Sequence, residues 1–209
     1  MSSKPNLRTG PDETVTKGQL ERRDAVKKLL GDDSDDVLYV TGLAGTKDDI
    51  LATFGDVPRA FTLSGAMGAA AAMGLGLALA QPDRRVVVLT GDGELLMNVG
   101  TLATIGVMNP PNLSIVCVDN GHYGETGWQE GHTARGVDIA KMAEGGAIKN
   151  VRTVTEDSQI AEAAKMLRES NGTSFVLLKV APTDAPKFFR SRDASWIKGK
   201  FREALLGKN

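Results

Sequence analysis

The feature that most constrains the fold of this chain is a pair of apolar, β-branched runs on either side of a segment with helical spacing. The runs are residues 85–90 and 113–118, and apolar side chains recur at helical intervals over residues 95–106. A strand, a helix and a second strand in this order predict a βαβ unit with parallel strands. Ligands of such units bind beyond the carboxyl ends of the strands.

Polar side chains follow both predicted strands at that edge. Gly91-Asp92-Gly93 comes after the first strand and Asp119-Asn120-Gly121 after the second, so Asp92 and Asn120 are 120 − 92 = 28 residues apart. Their oxygens can converge on one ion, and oxygen ligands favour Mg²⁺ or Ca²⁺, of which Mg²⁺ usually shares its coordination sphere with phosphates. Asp92, Asn120 and a backbone carbonyl near His122 therefore predict a metal-bound diphosphate. Taken alone, Gly-Asp-Gly is more typical of an ordinary turn.

A second segment, residues 63–80, is almost entirely apolar and consists mainly of small residues. It is shorter than the roughly 20 residues that cross a membrane as a helix. We therefore expect a helix that is buried at close range, with glycines that admit a neighbouring backbone or a ligand. A tightly packed core helix explains the same pattern without any ligand.

Four motifs occur in order: Ser-Gly-Ala-Met-Gly, Gly-Leu-Gly-Leu-Ala-Leu-Ala, Gly-Asp-Gly-x-Leu-Leu-Met-Asn and Asp-Asn-Gly-x-Tyr-Gly-x-Thr-Gly-x-Gln. Together they resemble the thiamine diphosphate-dependent 2-oxo acid decarboxylases, in particular the β subunits of sulfopyruvate decarboxylases and the C-terminal halves of phosphonopyruvate decarboxylases. The resemblance spans about residues 20–182. It implies the cofactors thiamine diphosphate and Mg²⁺, and the metal ligands Asp92, Asn120 and His122.

The resemblance also assigns the residues around the cofactor. Gly65 would supply a carbonyl to the aminopyrimidine ring, and Met67 would force the bent shape of the cofactor. Glu94 stands where relatives usually have a small residue, and a carboxylate beside a diphosphate would be repelled. We therefore expect its side chain to face solvent or a partner chain. The full set of predicted cofactor-binding residues is Ser64, Gly65, Ala66, Met67, Gly91, Asp92, Gly93, Glu94, Asn120, His122 and Tyr123.

The segment 121–135 leaves the predicted metal site directly, and we expect it to form the rim of the substrate site. His122, Glu125 and Gln129 are the candidate catalytic residues of this segment. His122 has an equal alternative, in which only its backbone contacts the metal and its side chain is solvated. Arg135 could pair with a sulfonate or phosphonate, although an arginine on a loop is more often a solvated charge.

The predicted activity needs a partner chain. Thiamine enzymes activate the cofactor with a glutamate on a second, pyrimidine-binding domain, and only 64 residues precede Gly65, too few for a domain of about 100–150 residues. We therefore expect a pyrimidine-binding α subunit in an α₂β₂ or larger assembly that decarboxylates an acidic 2-oxo acid. The alternatives are a subunit of a carboligase or of a 2-oxo acid oxidoreductase, and a non-catalytic module that binds the cofactor.

Composition excludes several other classes of protein. The formal net charge is −1 from 25 basic and 26 acidic residues, and no basic block indicates nucleic acid. The polar N-terminus has no apolar signal segment, and the single cysteine, Cys117, cannot form an internal disulfide. We therefore expect a cytoplasmic protein that contacts neither nucleic acid nor membrane.

The remaining pattern alternates helices and strands, which predicts an α/β fold with a doubly wound, mainly parallel sheet and helices on both faces. Residues 1–18 are expected to be a flexible tail, residues 19–182 the cofactor-binding domain, and residues 183–209 a linker and a basic helix that docks on a subunit. The further elements expected are helices at 19–30, 46–54 (capped by Thr46), 138–144 and 156–171, and strands at 37–41, 150–154 and 174–180.

Overall fold

A six-stranded parallel sheet forms the centre of the computed structural model, which describes residues 19–63, 65–183, 188–189, 191 and 193–207. Its strands lie in the order β2-β1-β3-β4-β8-β7, and a short antiparallel hairpin, β5-β6, stands apart from the sheet. The strands are β1 (Val37–Thr41), β2 (Ala60–Thr62), β3 (Arg85–Gly91), β4 (Leu113–Asp119), β5 (His122–Tyr123), β6 (Gln129–Glu130), β7 (Asn150–Val154) and β8 (Ser174–Lys179).

Helices cover both faces of this sheet. One apolar core joins the sheet to α3, α5, α6 and α8, and the other joins it to α1, α2 and α7. The prediction of a doubly wound parallel sheet is therefore confirmed. The helices are α1 (Arg22–Leu30), α2 (Gly45–Phe54), α3 (Ala70–Ala80), α4 (Asp92–Leu96), α5 (Thr101–Met108), α6 (Ile139–Gly145), α7 (Ile160–Glu169) and α8 (Ala194–Leu206).

Three local predictions were wrong. The segment predicted as one helix over 95–106 is two helices, α4 and α5, separated at residues 97–100. The small apolar segment becomes helical only at Ala70, because Gly65 and Gly68 have φ of +83° and +80°, a left-handed conformation that ends any helix. Thr46 does not cap α2, since its hydroxyl donates to the carbonyl of Leu43 at 3.2 Å.

The C-terminal helix also differs from expectation, because it packs on its own chain. Ile197 and Phe201 of α8 are buried, and the Phe201 ring meets Phe61 of β2 edge to face at 5.4 Å between centroids. This contact packs α8 against one face of β2, the edge strand of the sheet. The predicted N-terminal tail, residues 1–18, lies outside the described residues.

Two glycines of α3 allow a matched test of this packing. A β-carbon at Gly74 would overlap the Val88 side chain of β3, whereas a β-carbon at Gly76 would meet no atom within 4 Å. We expect Gly74→Ala to lower the free energy of unfolding by about 1–3 kcal/mol through overpacking. We expect Gly76→Ala to raise it by roughly 0.5–1 kcal/mol, because alanine favours a helix interior. Urea unfolding of the isolated chain measures both, and equal effects would contradict the packing of α3 on β3.

Among the described residues, no helix combines the length and the apolar character that crossing a membrane requires.

Candidate functional site

A cavity of about 220 Å³ opens at the carboxyl ends of β1, β3 and β4. Chain connectivity creates it, because the segment after β1 leads to β2 on one side and the segment after β3 leads to β4 on the other. The loops that leave β1 and β3 therefore diverge, and the crevice between them is where parallel α/β sheets bind ligands. Its walls include Gly45 and Thr46 after β1, Asp92 after β3 and Asn120 after β4.

Asp92 lies at the base of this cavity and is almost completely buried. Its Oδ2 is 3.0 Å from the hydroxyl of Thr133, and Oδ1 of Asp119 is 2.7 Å from the same hydroxyl. The hydroxyl has one hydrogen, so it can donate to only one of these carboxylates at a time. Burial, and after it the nearby charge of Asp119, raise the pKa of Asp92 to about 6.

Asp119, in contrast, has its own partners. Its Oδ2 accepts from Lys179 Nζ at 2.7 Å, and its Oδ1 accepts from the Gly121 N–H at 2.9 Å. With Thr133 donating to Asp119, an Asp92 oxygen remains available to a ligand within the cavity. An Mg²⁺ ion would offset the buried charge of Asp92, because a cation stabilises an ionised carboxylate.

Asn120 and His122 complete the predicted metal set in a tight turn. The Asn120 side-chain oxygen accepts from the His122 backbone N–H at 3.0 Å, and it retains a second lone pair for a metal. His122 Nδ1 lies 2.9 Å from the Asn120 carbonyl oxygen. Because a carbonyl only accepts, Nδ1 carries the proton, and a neutral ring would leave Nε2 as an acceptor. The predicted set contains one carboxylate, and no group of three or more His, Cys, Asp or Glu side chains suited to a metal occurs among the described residues.

The charges that line the cavity fit a diphosphate only together with a cation. Four acidic side chains and two arginines line it, namely Asp48, Asp92, Glu94, Glu125, Arg22 and Arg23. A polyanion alone would be repelled by this acidic excess, whereas a divalent ion between Asp92 and the diphosphate would offset it. The N-terminus of α2, at Gly45 and Thr46, adds free backbone N–H groups and the positive end of a helix dipole. The residues present therefore fit a metal-bound diphosphate.

The prediction that Glu94 faces solvent or a partner chain was wrong. Its carboxylate is buried, and Oε2 accepts from the Thr90 hydroxyl at 2.9 Å and from the Gly91 N–H at 3.4 Å. The side chain folds back against Gly42, where a β-carbon would overlap the carboxylate. Because Gly42 has no side chain, the Glu94 carboxylate can occupy the space that a larger residue at position 42 would fill. Burial raises the pKa of Glu94, and hydrogen bonds from Thr90 and the backbone oppose that shift.

Sequence reasoning missed a buried ion-pair cluster beside the helix α2. Asp49 is completely buried and accepts from Arg22 through Nε and Nη2, with the shortest contact at 2.7 Å, and also from Arg23 Nη1. Both arginines line the cavity next to Gly45. Arg22 stands on α1, 27 residues before Asp49, and no local motif joins the two. Only the apolar spacing of α1 indicated this cluster, because it places Arg22 on the buried side of the helix. A buried arginine needs a carboxylate partner.

Several other predicted residues do line the cavity. Gly91, Gly93, Met67, Tyr123 and Glu125 all contribute to its wall. The Tyr123 ring lies against Gly93, where a β-carbon would overlap it, so this glycine allows the rim segment to close over the metal loop. Met67 is 40% exposed although it lines the cavity, so one side of it is open to solvent.

The remaining predicted residues are elsewhere. Gly65 and Ala66 are exposed and do not form part of the cavity wall, and Ser64 lies outside the described residues. Gln129 is absent from the wall and bonds instead to Thr126, accepting from its hydroxyl at 2.8 Å. Arg135 is on the surface and pairs with Glu130 at 3.1 Å. The structure therefore does not bring Gln129 or Arg135 to the cavity, and the part assigned to Gly65 stays a prediction.

The raised pKa of Asp92 predicts a pH dependence of stability in the metal-free chain. A carboxyl whose pKa rises from 3.8 to about 6 on folding binds more protons in the folded state between those values. Stability contributed by this group is therefore present below pH 3.8 and is lost as pH rises toward about 6. Between pH 3.8 and about 6, we expect the free energy of unfolding of the wild-type chain to fall relative to that of Asp92→Asn. Above about pH 6, the two curves of unfolding free energy against pH should run parallel. Urea unfolding at several pH values with a chelator measures the difference, and parallel curves throughout would contradict the buried, raised carboxyl.

Comparison with known proteins agrees with this geometry. Residues 51–178 match the model of the thiamine pyrophosphate enzyme C-terminal TPP binding domain, which is more than half of the chain. The chain is 37% identical over 188 residues to the sulfopyruvate decarboxylase subunit beta of Methanothermobacter thermautotrophicus, and the match covers 90% of this chain and 97% of that subunit.

Longer relatives contain the same unit as part of one polypeptide. The sulfopyruvate decarboxylase of Methanosarcina acetivorans is 34% identical, and the match covers 92% of this chain but 50% of that protein. The phosphonopyruvate decarboxylase of Streptomyces viridochromogenes is 35% identical over 76% of this chain and 39% of its own length. A Rhodococcus jostii RHA1 thiamine diphosphate-dependent 4-hydroxybenzoylformate decarboxylase has the same fold, with a TM-score of 0.67 at 20% identity, covering 88% of this chain and 37% of that one.

Proposed function

Because this chain belongs to the thiamine pyrophosphate enzymes through their C-terminal cofactor-binding domain, we propose that it is the diphosphate-binding β subunit of a two-subunit decarboxylase. Its substrate is an acidic 2-oxo acid such as sulfopyruvate or phosphonopyruvate, and its products are CO₂ and an aldehyde. The relatives that match three quarters of the chain or more carry the names of these two decarboxylases. One structural observation supports the proposal above all others. Asp92 and Asn120, predicted from their spacing alone, line a single cavity at the carboxyl ends of adjacent strands.

The residues of this chain position the cofactor. Asp92, Asn120 and the carbonyl near His122 would hold Mg²⁺, and the N-terminus of α2 would face the diphosphate. Met67 would support the cofactor between its two rings. When bound, thiamine diphosphate supplies the electron sink for loss of CO₂ from a 2-oxo acid, while the protein supplies position and excludes water. The N–H of His122 Nδ1 is held by Asn120, so Nε2 is the nitrogen with which His122 would accept or return a proton.

A partner subunit completes the site. The relatives that match over most of their length are named as subunit beta, so the chain works with a second subunit. We propose that this subunit binds the pyrimidine ring and supplies the activating glutamate, and that the two chains assemble as α₂β₂ or larger.

Turnover of the assembled complex tests the proposal. The tagged chain is purified from its native cells with its partner and supplied with thiamine diphosphate and Mg²⁺. Sulfopyruvate, phosphonopyruvate and pyruvate are then offered as substrates. We expect CO₂ and an aldehyde from at least one of the two acidic substrates, with a higher kcat/KM than for pyruvate. No added electron acceptor should be needed.

The other outcomes separate the alternatives. An acyloin product would identify a carboligase, and turnover that requires an electron acceptor would identify an oxidoreductase. Cofactor binding without turnover of any 2-oxo acid would identify a non-catalytic module. Each of these results would overturn the proposed decarboxylase.

A further inference from the structure

A second cavity lies at the opposite edge of the sheet, where β1 and β3 begin. Val37 and Arg85, the first residues of these two strands, line it together with the ends of α1 and α7. The cavity that contains Asp92 lies beyond the last residue of β3. Because β3 has seven residues, each of which advances a strand by roughly 3.3 Å, the two cavities are about 20 Å apart. The second cavity is therefore separate from the cofactor site.

Two arginines from different elements meet in this second cavity. Arg85 begins β3, and its Nη2 donates to the Leu167 carbonyl of α7 at 2.6 Å. Arg168 follows on α7, and its Nη1 lies against Gly31, the residue that ends α1, at 3.6 Å from the position of a β-carbon there. Burial lowers the pKa of Arg85, and the positive charge of Arg168 lowers it further. The two guanidiniums are therefore close enough to repel each other.

No carboxylate neutralises this pair of arginines within the described residues. Neither Arg85 nor Arg168 forms an ion pair there. Asp32 and Asp36 also line the second cavity, but both are exposed, and neither contributes to the shift in the pKa of Arg85. A charge that is partly removed from water is usually paired in a folded protein. The missing counter-charge in this cavity indicates that an anion binds there.

The donors and the wall together define the chemical class of that anion. A guanidinium has five N–H donors, of which two can bind two oxygens of one phosphate, phosphonate or sulfonate group. The bond to Leu167 leaves most donors of Arg85 available. The rest of the wall is mainly apolar, and a short organic group would cover it whereas an inorganic ion would not. The apolar side chains of this wall are Leu29, Leu30, Val37, Val87 and Leu167.

The size of the second cavity limits the ligand further. Its volume is about 180 Å³, whereas pockets for drug-sized ligands measure roughly 300–1,000 Å³. This volume favours a ligand smaller than a nucleotide.

We propose that the second cavity binds a small organic anion whose phosphonate, sulfonate or phosphate-ester group lies between Arg85 and Arg168. The ligand would join α7 to the first residue of β3, the strand that leads to Asp92 at its other end. A ligand that needs both elements in place binds only the folded chain, so it should also raise the melting temperature. The site does not depend on the proposed decarboxylase, because none of its residues lines the cofactor cavity.

Calorimetric titration of the purified chain with methylphosphonate tests the site. We expect saturable binding to the wild type at constant ionic strength. Affinity should be at least about 10-fold lower in Arg168→Gln, because the charge-assisted hydrogen bonds of one guanidinium are lost. Arg168 is exposed, so this variant should fold normally, which its melting temperature without ligand checks. Arg202→Gln makes the same change at an exposed position of α8 and should bind as the wild type does.

Three anions separate the possible sources of the charged group. Methanesulfonate should compete with methylphosphonate, because both present a tetrahedral group of oxygens beside a methyl group. Inorganic phosphate has no apolar part and should bind more weakly than methylphosphonate. Inorganic phosphate that binds as tightly would overturn the organic ligand. Equal affinity in Arg168→Gln and in the wild type, or no saturable binding to the wild type, would overturn the site.

Chemical labelling locates the ligand without any substitution. Phenylglyoxal reacts with accessible guanidiniums, and mass spectrometry of the peptides identifies the labelled arginines. Methylphosphonate should protect Arg85 and Arg168 and leave Arg202 unprotected. Protection of Arg22 and Arg23 in their place would put the anion in the cofactor cavity and overturn the second site. These results are independent of turnover, so they separate the anion site from the proposed function.

Discussion

Asp92→Ala is expected to abolish Mg²⁺-dependent binding of thiamine diphosphate to the complex. Asp92 is the only carboxylate of the predicted metal set, and it is buried where no other acid replaces it, because Asp119 is occupied by Lys179 and by the Gly121 N–H. Residues that merely support metal ligands change metal affinity by about 10–100-fold. Loss of this ligand should therefore weaken cofactor binding by at least about 100-fold. Calorimetric titration of the complex, with and without a chelator, measures the effect.

Two further variants test whether loss of the Asp92 carboxylate itself causes the weaker cofactor binding. Asp92→Asn keeps an oxygen but removes the charge, so it should fall between the wild type and Asp92→Ala. Asp83→Ala changes an exposed aspartate between α3 and β3, and it should leave cofactor affinity unchanged. If Asp92→Ala binds thiamine diphosphate as tightly as the wild type does, the assignment of this cavity as the cofactor site is overturned, whether or not the complex has activity.

The positions of Asp92 and Asn120 could be predicted because they depend on few physical rules. Parallel strands end at one edge of the sheet, and a β-branched run locates a strand within a residue or two. β3 and β4 accordingly begin at the predicted residues, Arg85 and Leu113, and each extends one residue further than predicted. The three-residue strand β2 escaped prediction, because it is too short to show alternation.

The direction of the Glu94 side chain could not be predicted from sequence patterns. Repulsion between a carboxylate and a diphosphate predicted only that the side chain turns away from the cofactor, and the direction that it takes depended on a space inside the protein. That space exists because Gly42, 94 − 42 = 52 residues earlier, has no side chain, and because the Thr90 hydroxyl provides a donor. A contact between positions so far apart in sequence emerges only from the packing of β1 against β3.

The Arg22–Asp49 pair escaped prediction for the same reason, and its removal should have the largest effect on stability. Asp49→Ala would leave the Arg22 guanidinium buried without a carboxylate. Breaking a buried ion pair from one side costs about 3–5 kcal/mol, so we expect a loss of that size in the free energy of unfolding, measured by urea titration. Glu162→Ala removes the partner of Arg152 at the surface, where an exposed pair contributes about 0–1 kcal/mol. Equal losses in the two variants would contradict the buried pair.

A double variant separates the contribution of the Arg22–Asp49 pair to stability from its contribution to cofactor binding. Arg22→Met with Asp49→Leu replaces both charges by apolar side chains of similar size, and such replacements are often neutral in stability. Arg23 also binds Asp49 but keeps 16% of its side chain exposed, so it can turn toward water. We therefore expect the double variant to recover most of the stability lost in Asp49→Ala. Because Arg22 is one of the two arginines in a cavity with four acids, cofactor affinity should remain reduced, and full recovery of affinity would show that the pair acts through folding alone.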